Sequence, residues 1–302
     1  MLIFTKNKKV YFPGSIEIEL TNQCNLNCIM CPNFNKRQAR GYMADDLITA
    51  ILDETLKYPS RQYSLHGLGE PLLHPKCLET VERIKQTPDS DNTIYLTTNG
   101  HFLTEAVVSE LIRLNVDFLN ISIGAATGET YRKVRGSIYF DLVVSQVLKA
   151  LELKAQNKSR IQISVQIIET GAACGEIDAF VSFWKNYDVS IEIWRDFQKG
   201  PYLADRSTGT SDKSRCRYVK RYVLVTWQGE MIICCQDVER KHSLGKLRDA
   251  DIRTLFNNPQ AAKYRRLLKN GKANQIDICK DCIYYDDALY RKVIKGSNSQ
   301  QQ

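Results

Sequence analysis

The sequence lacks any run of 18 or more apolar residues, which is the length that a membrane-spanning helix requires. It also has no apolar signal-peptide segment after Met1 and no internal repeat. Its aromatic and charged fractions, 9% and 25%, are those of an ordinary globular protein. We therefore expect a cytoplasmic protein of one large domain, or of one domain with an appendage, that does not bind a membrane.

Acidic residues are scarce in the last third of the chain. From Asp196 onward there are 21 Lys and Arg against 12 Asp and Glu, whereas residues 1–195 hold 21 against 22. The excess positive charge behind the formal net charge of +8 therefore lies in the last third. Three explanations stay open: a solvated basic face, an acidic substrate, or cations that compensate a buried anion.

Short β-branched and apolar segments alternate with amphipathic segments over the first two thirds of the chain, which is typical of βα units and a parallel sheet. The expected strands are residues 15–21, 62–67, 93–100, 117–124, 160–168 and 189–195, and the expected helices are residues 43–57, 76–86, 105–114, 138–153 and 176–187. Six strands are too few for a closed eight-stranded barrel. We therefore predict an α/β fold with a partial (β/α)6 TIM-like barrel over residues 1–197 and a site at the carboxyl ends of its strands.

The pattern changes after residues 198–214, which are rich in Gly, Pro, Ser and Thr and which we interpret as a linker loop. Two apolar runs on either side of Trp227–Gly229 predict a β-hairpin. Helical patterns follow at 252–269, with an interruption at Pro259, and at 281–294.

These elements predict a second domain, small and of the α+β class, over residues 215–290. Residues 291–302 are then a C-terminal tail. The composition of its end, from Gly296 onward, is that of a disordered segment.

Three cysteines, Cys24, Cys28 and Cys31, lie in one short loop after the first expected strand, with no fourth cysteine beside them. A pattern of this kind should arise by chance only about 0.01 times in a chain of this composition. Nothing indicates secretion, and a chain of this length can bury its own core, so a disulfide framework is disfavoured. Three thiolates leave a zinc site incomplete, but they can bind three irons of a [4Fe–4S] cluster and leave the fourth iron open. Structural zinc and plain buried cysteine are the alternatives.

This cysteine motif, placed after the first strand of a partial barrel, resembles that of the radical S-adenosylmethionine (radical SAM) superfamily. The resemblance implies that the open iron binds the amino and carboxylate groups of S-adenosylmethionine (SAM) and that an electron from the reduced cluster cleaves the sulfonium. A 5′-deoxyadenosyl radical then takes a hydrogen atom from the substrate. The resemblance also implies a flavodoxin- or ferredoxin-type electron donor.

The segment "HGLGEPLLHP", which begins at His66, resembles the glycine–glutamate motif of the superfamily. The resemblance implies that the Gly69 backbone and Glu70 bind the methionyl ammonium, in keeping with the attraction of a carboxylate for a cation. Asn99, in the segment "LTTNG", would lie beside the cofactor. Each of these polar residues could instead form local hydrogen bonds at a turn or a strand end.

The segment "ISIGAATGETYRKVRG" resembles the part of the family that follows the fourth barrel strand. There Ser122 would bind the ribose or the methionine end of SAM, and Arg135 would pair with the methionyl carboxylate. Two positions depart from the family pattern, because Met30 replaces a frequent aromatic residue and Gly124 replaces a frequent Asp. The resemblance covers residues 15 to about 195.

Five further cysteines follow the expected linker: Cys216, Cys234, Cys235, Cys279 and Cys282. Their spacing resembles the SPASM extension of radical SAM proteins in its short "Twitch" form. The resemblance implies a second [4Fe–4S] cluster bound by Cys216, Cys234, Cys279 and Cys282. Cys235 is the alternative to Cys234, because successive residues of a strand face opposite ways. A four-cysteine zinc site is a further alternative.

Two other thiols are candidate hydrogen-atom donors. Cys174 follows the fifth expected strand and so faces the expected site, and Cys235 is the thiol left over from the second cysteine set. The alternative for each is an ordinary structural thiol.

These features together favour a radical SAM oxidoreductase or epimerase. We expect it to abstract a hydrogen atom from an unactivated C–H bond of a small polar metabolite, such as an aminocyclitol or a sugar, as in the biosynthesis of natural products. The substrate radical would lose an electron to the auxiliary cluster, giving dehydrogenation, or regain hydrogen from a thiol, giving epimerisation. Modification of a ribosomally made peptide is the first alternative. A zinc protein that binds nucleic acid is the second, although the basic residues lack interleaved aromatics, so no nucleic-acid partner is expected.

Overall fold

The structure is a computed structural model that describes residues 3–5, 8–35, 39–58, 60–88, 91–195, 213–280, 282 and 291–296. Most of the expected linker, the end of the expected tail and most of residues 281–290 lie outside the described residues.

A small antiparallel hairpin, β1 (Ile3–Thr5) and β2 (Lys8–Val10), comes before the barrel. Six strands and six helices then follow, which confirms the partial barrel. The strands are β3 (Ser15–Ile18), β4 (Gln62–Leu65), β5 (Thr93–Thr98), β6 (Phe118–Ser122), β7 (Gln162–Glu169) and β8 (Ser190–Arg195). The helices are α1 (Asp45–Thr55), α2 (Cys77–Lys85), α3 (Glu105–Arg113), α4 (Gly128–Arg135), α5 (Phe140–Gln156) and α6 (Ile177–Trp184).

The C-terminal part supplies the remaining elements. The strands are β9 (Tyr222–Val225), β10 (Glu230–Ile232), β11 (Ser243–Lys246) and β12 (Arg291–Lys295), and the helices are α7 (Arg217–Arg221), α8 (Ile252–Phe256), α9 (Pro259–Lys269) and α10 (Asp277–Lys280). Short 3-10 turns lie at Pro32–Asn35, Pro71–Leu73, Cys174–Glu176, Lys213–Arg215 and Ala273–Gln275. The predicted hairpin and the helical break at Pro259 are both present, since Asn258 caps α9 and Pro259 begins it.

Ten strands form one sheet in the order β11-β10-β9-β3-β4-β5-β6-β7-β8-β12. The six barrel strands run parallel to their neighbours, and β9 also pairs in parallel with β3. The hairpin of the C-terminal part therefore continues the barrel sheet directly. The β9–β10 turn therefore lies near the loop after β3, whereas the chain after β10 runs back towards the start of β3.

The two faces of the barrel sheet differ in chemistry. One face carries buried apolar side chains under the helices, such as Ile16, Leu96, Ile121 and Val165. The other face, which we call the lumen face, carries polar side chains that neighbour one another across the strands. They are Glu17, Ser64, Thr97, Asn120, Ser122, Gln166 and Glu192. A parallel sheet is commonly apolar on both faces, so this polar row indicates a ligand-binding interior rather than a second core.

The last strand corrects one prediction. Residues 281–294 were expected to be helical, but Arg291–Lys295 form β12, which pairs antiparallel with β8 at the edge of the sheet. The adjacent β-branched residues Val293 and Ile294 suit a strand, and the unpaired edge of β8 offers the backbone hydrogen bonds. Tertiary pairing therefore overrides the local helical pattern.

None of the described helices is both long enough and apolar enough to cross a membrane.

Candidate active site

The first cysteine loop begins just after β3 and is held on the chain around α4. Cys31 N–H donates to the Cys28 carbonyl at 3.1 Å, which closes a tight turn between two of the thiols. Ile29 N–H donates to the Val134 carbonyl at 2.9 Å. Cys28 is buried, and Cys24 and Cys31 are partly buried. The three predicted ligands therefore share one loop whose backbone is fixed on both sides.

Burial dominates the electrostatics of the Cys24 and Cys31 thiols. It raises the pKa of Cys24 to about 11 and raises the pKa of Cys31, and each nearby thiol adds to the effect. Donors approach from two directions: Arg135 Nη1 lies 3.4 Å from Cys28 Sγ, and Asn99 Nδ2 lies 3.8 Å from Cys24 Sγ. Thiolates at this place would thus have a cation and an amide beside them, as a negatively charged iron–sulfur cluster requires.

Arg135 is buried at the end of α4 and is held on the loop after β6. Its Nε donates to the Ile123 carbonyl at 2.9 Å, and its Nη2 donates to Ser122 Oγ at 3.0 Å. Gly124 lies under the guanidinium with φ of 82°, and a Cβ there would lie 2.6 Å from Arg135 Nε. This explains the departure noted in the sequence, because no side chain fits where the superfamily often has Asp. The structure places Arg135 beside Cys28, and its pairing with a methionyl carboxylate stays a prediction.

Glu70 is buried in the loop after β4 and accepts hydrogen bonds from the end of β5. Its Oε1 accepts from Thr98 Oγ1 at 2.8 Å and from Leu72 N–H at 3.2 Å, and its Oε2 accepts from Asn99 N–H at 2.7 Å. Burial raises the pKa of Glu70 to about 7 despite these donors. The local cap that the sequence left open is therefore present, and contact of Glu70 with the methionyl ammonium stays a prediction.

Gly69 joins this glutamate loop to the start of the cysteine loop. Glu70 N–H donates to the Gln23 carbonyl at 2.8 Å, and a Cβ at Gly69 would lie 2.2 Å from the Thr21 carbonyl oxygen. Only glycine permits this close approach of two backbones. The two motifs found in the sequence are thus in direct contact.

Asn99 and Ser122 complete the part of the site that the sequence identified. Asn99 Nδ2 donates to Asn25 Oδ1 at 2.8 Å, and Ser122 Oγ donates to Gln166 Oε1 at 3.1 Å. Asn99 therefore links β5 to the cysteine loop, and Ser122 links Arg135 to the lumen face. Their contacts with SAM stay predictions.

The second cysteine set is brought together from three segments. Cys216 lies just before α7, Cys234 and Cys235 follow β10, and Cys279 and Cys282 lie in and after α10. Burial raises the pKa of Cys216, and it raises that of Cys279 to about 12. Cys216 and Cys279 interact with each other, Cys216 also with Cys235, and Cys234 with Cys282. Both members of the vicinal pair therefore reach the set, and the choice of Cys234 as the ligand stays a prediction.

The surroundings of the second set fit a buried anionic cluster. Lys213 Nζ donates to the Cys279 carbonyl at 2.9 Å, so part of the basic excess of the last third lies at these cysteines. The hydroxyl of Tyr222, buried near Cys234 and Cys235, has no hydrogen-bond partner among the residues that the structure describes. Among the residues that the structure describes, no three His, Cys, Asp or Glu side chains converge as the ligands of a single ion do. A cube gives each thiolate its own iron and so needs a wider spacing.

The sequence missed a group of charged residues beside the second cysteine set. A cavity of about 70 Å³ between β3 and the C-terminal part is lined by polar and titratable side chains. These are Glu17, Glu19, His66, Cys235, Asp237 and Arg240. The alternation of Ile and Glu in "IEIEL" could have indicated this charged cavity, because a buried parallel strand seldom carries two carboxylates.

Glu19 contacts two other segments of the chain at this cavity. It is 1% exposed, its Oε1 lies 3.3 Å from Arg240 Nη2, and its Oε2 accepts from Leu68 N–H at 3.1 Å. Burial raises its pKa above the ordinary value. One carboxylate therefore joins the barrel strand, the glutamate loop and the C-terminal part.

The two candidate hydrogen-atom donors differ in position. Cys235 lines the cavity, whereas Cys174 is exposed and its Sγ donates to the Gly171 carbonyl at 3.4 Å. The role of each thiol stays a prediction.

Comparison with known proteins gives two family matches. The model of the Radical SAM superfamily matches residues 18–170, and that of SPASM, an iron–sulfur cluster-binding domain, matches residues 216–283. The S-adenosyl-L-methionine-dependent 2-deoxy-scyllo-inosamine dehydrogenase of Niallia circulans is 24% identical over 271 residues, which cover 88% of this chain and 91% of that protein. Each cysteine set lies within one of the two matched regions.

Two of the solved structures that share the fold contain a bound substrate, product or peptide together with AdoMet. The crystal structure of BtrN in complex with AdoMet and 2-DOIA has a TM-score of 0.63 at 22% identity and covers 91% of this chain and 94% of that chain. Native anSMEcpe with bound AdoMet and the Cp18Cys peptide has a TM-score of 0.62 at 16% identity, with coverages of 88% and 87%. At these identities the likeness is one of fold.

Proposed function

The chain belongs to the radical SAM superfamily, and from this premise we propose that it dehydrogenates a small, polar, aminocyclitol- or sugar-like metabolite at an unactivated C–H bond. The cofactors are a SAM-binding [4Fe–4S] cluster, an auxiliary iron–sulfur cluster and SAM itself. When bound, they supply the radical that removes a hydrogen atom and an acceptor for the second electron. Cys24, Cys28 and Cys31 would hold the first cluster.

The observation that carries this proposal is the polar lumen face and the cavity at its edge. Glu17 lies on this face and lines the cavity, and a carboxylate there suits a substrate that bears an amine or hydroxyls. Cys235, from the second cysteine set, lines the same cavity. A substrate bound at this edge would lie close to both the glutamate loop and the auxiliary cysteines, as transfer of the second electron requires.

Oxidation of a carbinol also releases a proton, and His66 is our candidate to accept it. His66 Nδ1 lies 3.3 Å from the Gly67 carbonyl oxygen and 4.0 Å from Glu17 Oε1. An Nδ1–H that faces these oxygens leaves Nε2 as the basic nitrogen. His66 therefore supplies the cavity with a candidate proton acceptor whose ring faces the Gly67 carbonyl.

Two alternative functions are each favoured by one observation. Cys235 could return hydrogen to the substrate radical, which would give epimerisation. The fold is also shared with a structure that holds a peptide, so a peptide substrate is an alternative.

The test uses reconstituted protein with candidate aminocyclitols and sugars in deuterated buffer. Dehydrogenation gives a product lighter by two hydrogens, and epimerisation gives one that carries a solvent deuteron, lost in Cys235→Ala or Cys174→Ala. If a peptide is modified while every metabolite is left unchanged, the proposal is wrong.

A further inference from the structure

Tyr222 has a buried polar group that the proposed reaction does not use. It is the first residue of β9 and is 5% exposed. Its hydroxyl has no hydrogen-bond partner among the described residues. Buried hydroxyls are nearly always paired, so an orphan of this kind indicates a partner that the chain itself does not provide.

The register of the sheet places Tyr222 between the lumen face and the second cysteine set. Tyr222 pairs with Ser15 in the parallel ladder, so its side chain lies on the same face as Glu17. On its other side β9 pairs with β10, and continuing that register brings Tyr222 opposite Cys234. The phenol interacts electrostatically with Cys235 and Cys234, and the Glu17 carboxylate lies close by but not within hydrogen-bond distance of its hydroxyl.

From this position we propose that the Tyr222 hydroxyl donates a hydrogen bond to a sulfur of the auxiliary cluster and thereby raises the reduction potential of that cluster. The inference goes beyond the proposed function, because it depends on the cluster and holds for any substrate. A phenol keeps its proton at neutral pH, so it acts as a donor. Hydrogen bonds to cluster sulfurs stabilise the more negative, reduced state.

The consequence concerns the electron that leaves the substrate. An auxiliary cluster with a higher potential is a better acceptor. Removal of the donor should therefore make the cluster harder to reduce, while the thiol ligands and the sheet stay in place.

The test compares Tyr222→Phe with its parent in a full chain that also carries Cys24→Ala, Cys28→Ala and Cys31→Ala, so that only the auxiliary cluster contributes. A redox titration followed by electron paramagnetic resonance gives the midpoint potential. We expect a shift to more negative potential that corresponds to about a tenfold change in the equilibrium constant for reduction, or about 59 mV for one electron. Tyr63→Phe is the matched control, because Tyr63 is a buried tyrosine whose hydroxyl donates to Thr55 Oγ1.

A second measurement does not depend on potential. Electron–nuclear double resonance of the reduced cluster in deuterated buffer should show an exchangeable deuteron coupling that is absent in Tyr222→Phe and present in Tyr63→Phe. An unchanged potential or an unchanged coupling in Tyr222→Phe overturns the proposal. Loss of the cluster from Tyr222→Phe alone also overturns it, because Tyr222 would then be needed for assembly rather than for the potential.

Discussion

At the scale of single residues, the first cysteine loop is held by contacts between residues that lie far apart in the chain. Gly69, Glu70 and Asn99 contact the start of the loop, and Arg135 lies beside Cys28. Sequence motifs do not predict such hydrogen-bond partners, because each bond joins distant segments. The contact of Arg135 with Gly124 shows why a family position can lack its usual side chain.

The first prediction concerns Gly124→Ala. A Cβ at this position meets the Arg135 guanidinium at a backbone φ of 82°, so the substitution strains the backbone and displaces the cation from Cys28. We expect the unfolding free energy to fall by about 1–3 kcal/mol and the iron content of the first cluster to fall with it. Chemical denaturation and iron analysis measure the two effects.

Gly171→Ala is the matched control, since nothing lies within 4 Å of a Cβ built there. Equal iron content in the two variants would show that Arg135 has no part in holding the first cluster.

The second prediction concerns pH. Burial raises the pKa of Glu70 from the ordinary 4.5 to about 7, so the folded protein binds more protons than the unfolded chain between these values. The contribution of this group to the unfolding free energy should therefore decline as the pH rises through that window, by about 3 kcal/mol in all. Urea denaturation of the apoprotein at a series of pH values gives the slope.

Glu70→Gln does not titrate and should lose this slope. Glu79→Gln, at an exposed residue that pairs with Lys76, should keep it. A slope that persists in Glu70→Gln would assign it to another carboxyl, such as Glu19.

At the scale of elements, the barrel could be predicted because each strand and helix shows its own period in the sequence. Four of the six expected strands run two or three residues too far at their carboxyl ends; β3 ends at Ile18, and the residues after it turn into the cysteine loop. The last strand was missed because its stability comes from the edge of β8. The lumen face was missed because it is a property of neighbouring strands and not of any single one.

The third prediction distinguishes the roles of the two cysteine sets in the reaction. Cys28→Ala should abolish SAM cleavage, because it removes a ligand of the cluster that binds SAM. Cys282→Ala should leave part of the SAM cleavage and stop product formation, because only the acceptor of the second electron is affected. The 5′-deoxyadenosine and the product are measured in the same reaction.

Cys77→Ala is the control for both variants, since Cys77 is a buried thiol in α2 outside the two sets. Normal product formation by Cys282→Ala would remove the auxiliary cluster from catalysis.

At the scale of the whole molecule, one sheet connects the two cysteine sets. Pairing of β9 with β3 places the hairpin of the C-terminal part against the first barrel strand, and the ion pair of Arg240 with Glu19 closes the same junction. The cavity between them contacts the glutamate loop through Gly67 and Leu68 and the auxiliary set through Cys235. The uneven charge of the chain fits this arrangement in part, because Lys213 lies at the auxiliary cysteines.

The most direct test of this account is Mössbauer and electron paramagnetic resonance spectroscopy of protein purified without oxygen, before and after SAM is added. We expect about eight irons in two [4Fe–4S] clusters, of which one changes its spectrum with SAM and is missing from Cys28→Ala. A first loop without a cluster, or a cluster there that SAM leaves unchanged, would contradict the central claim that Cys24, Cys28 and Cys31 hold a cluster with one open iron.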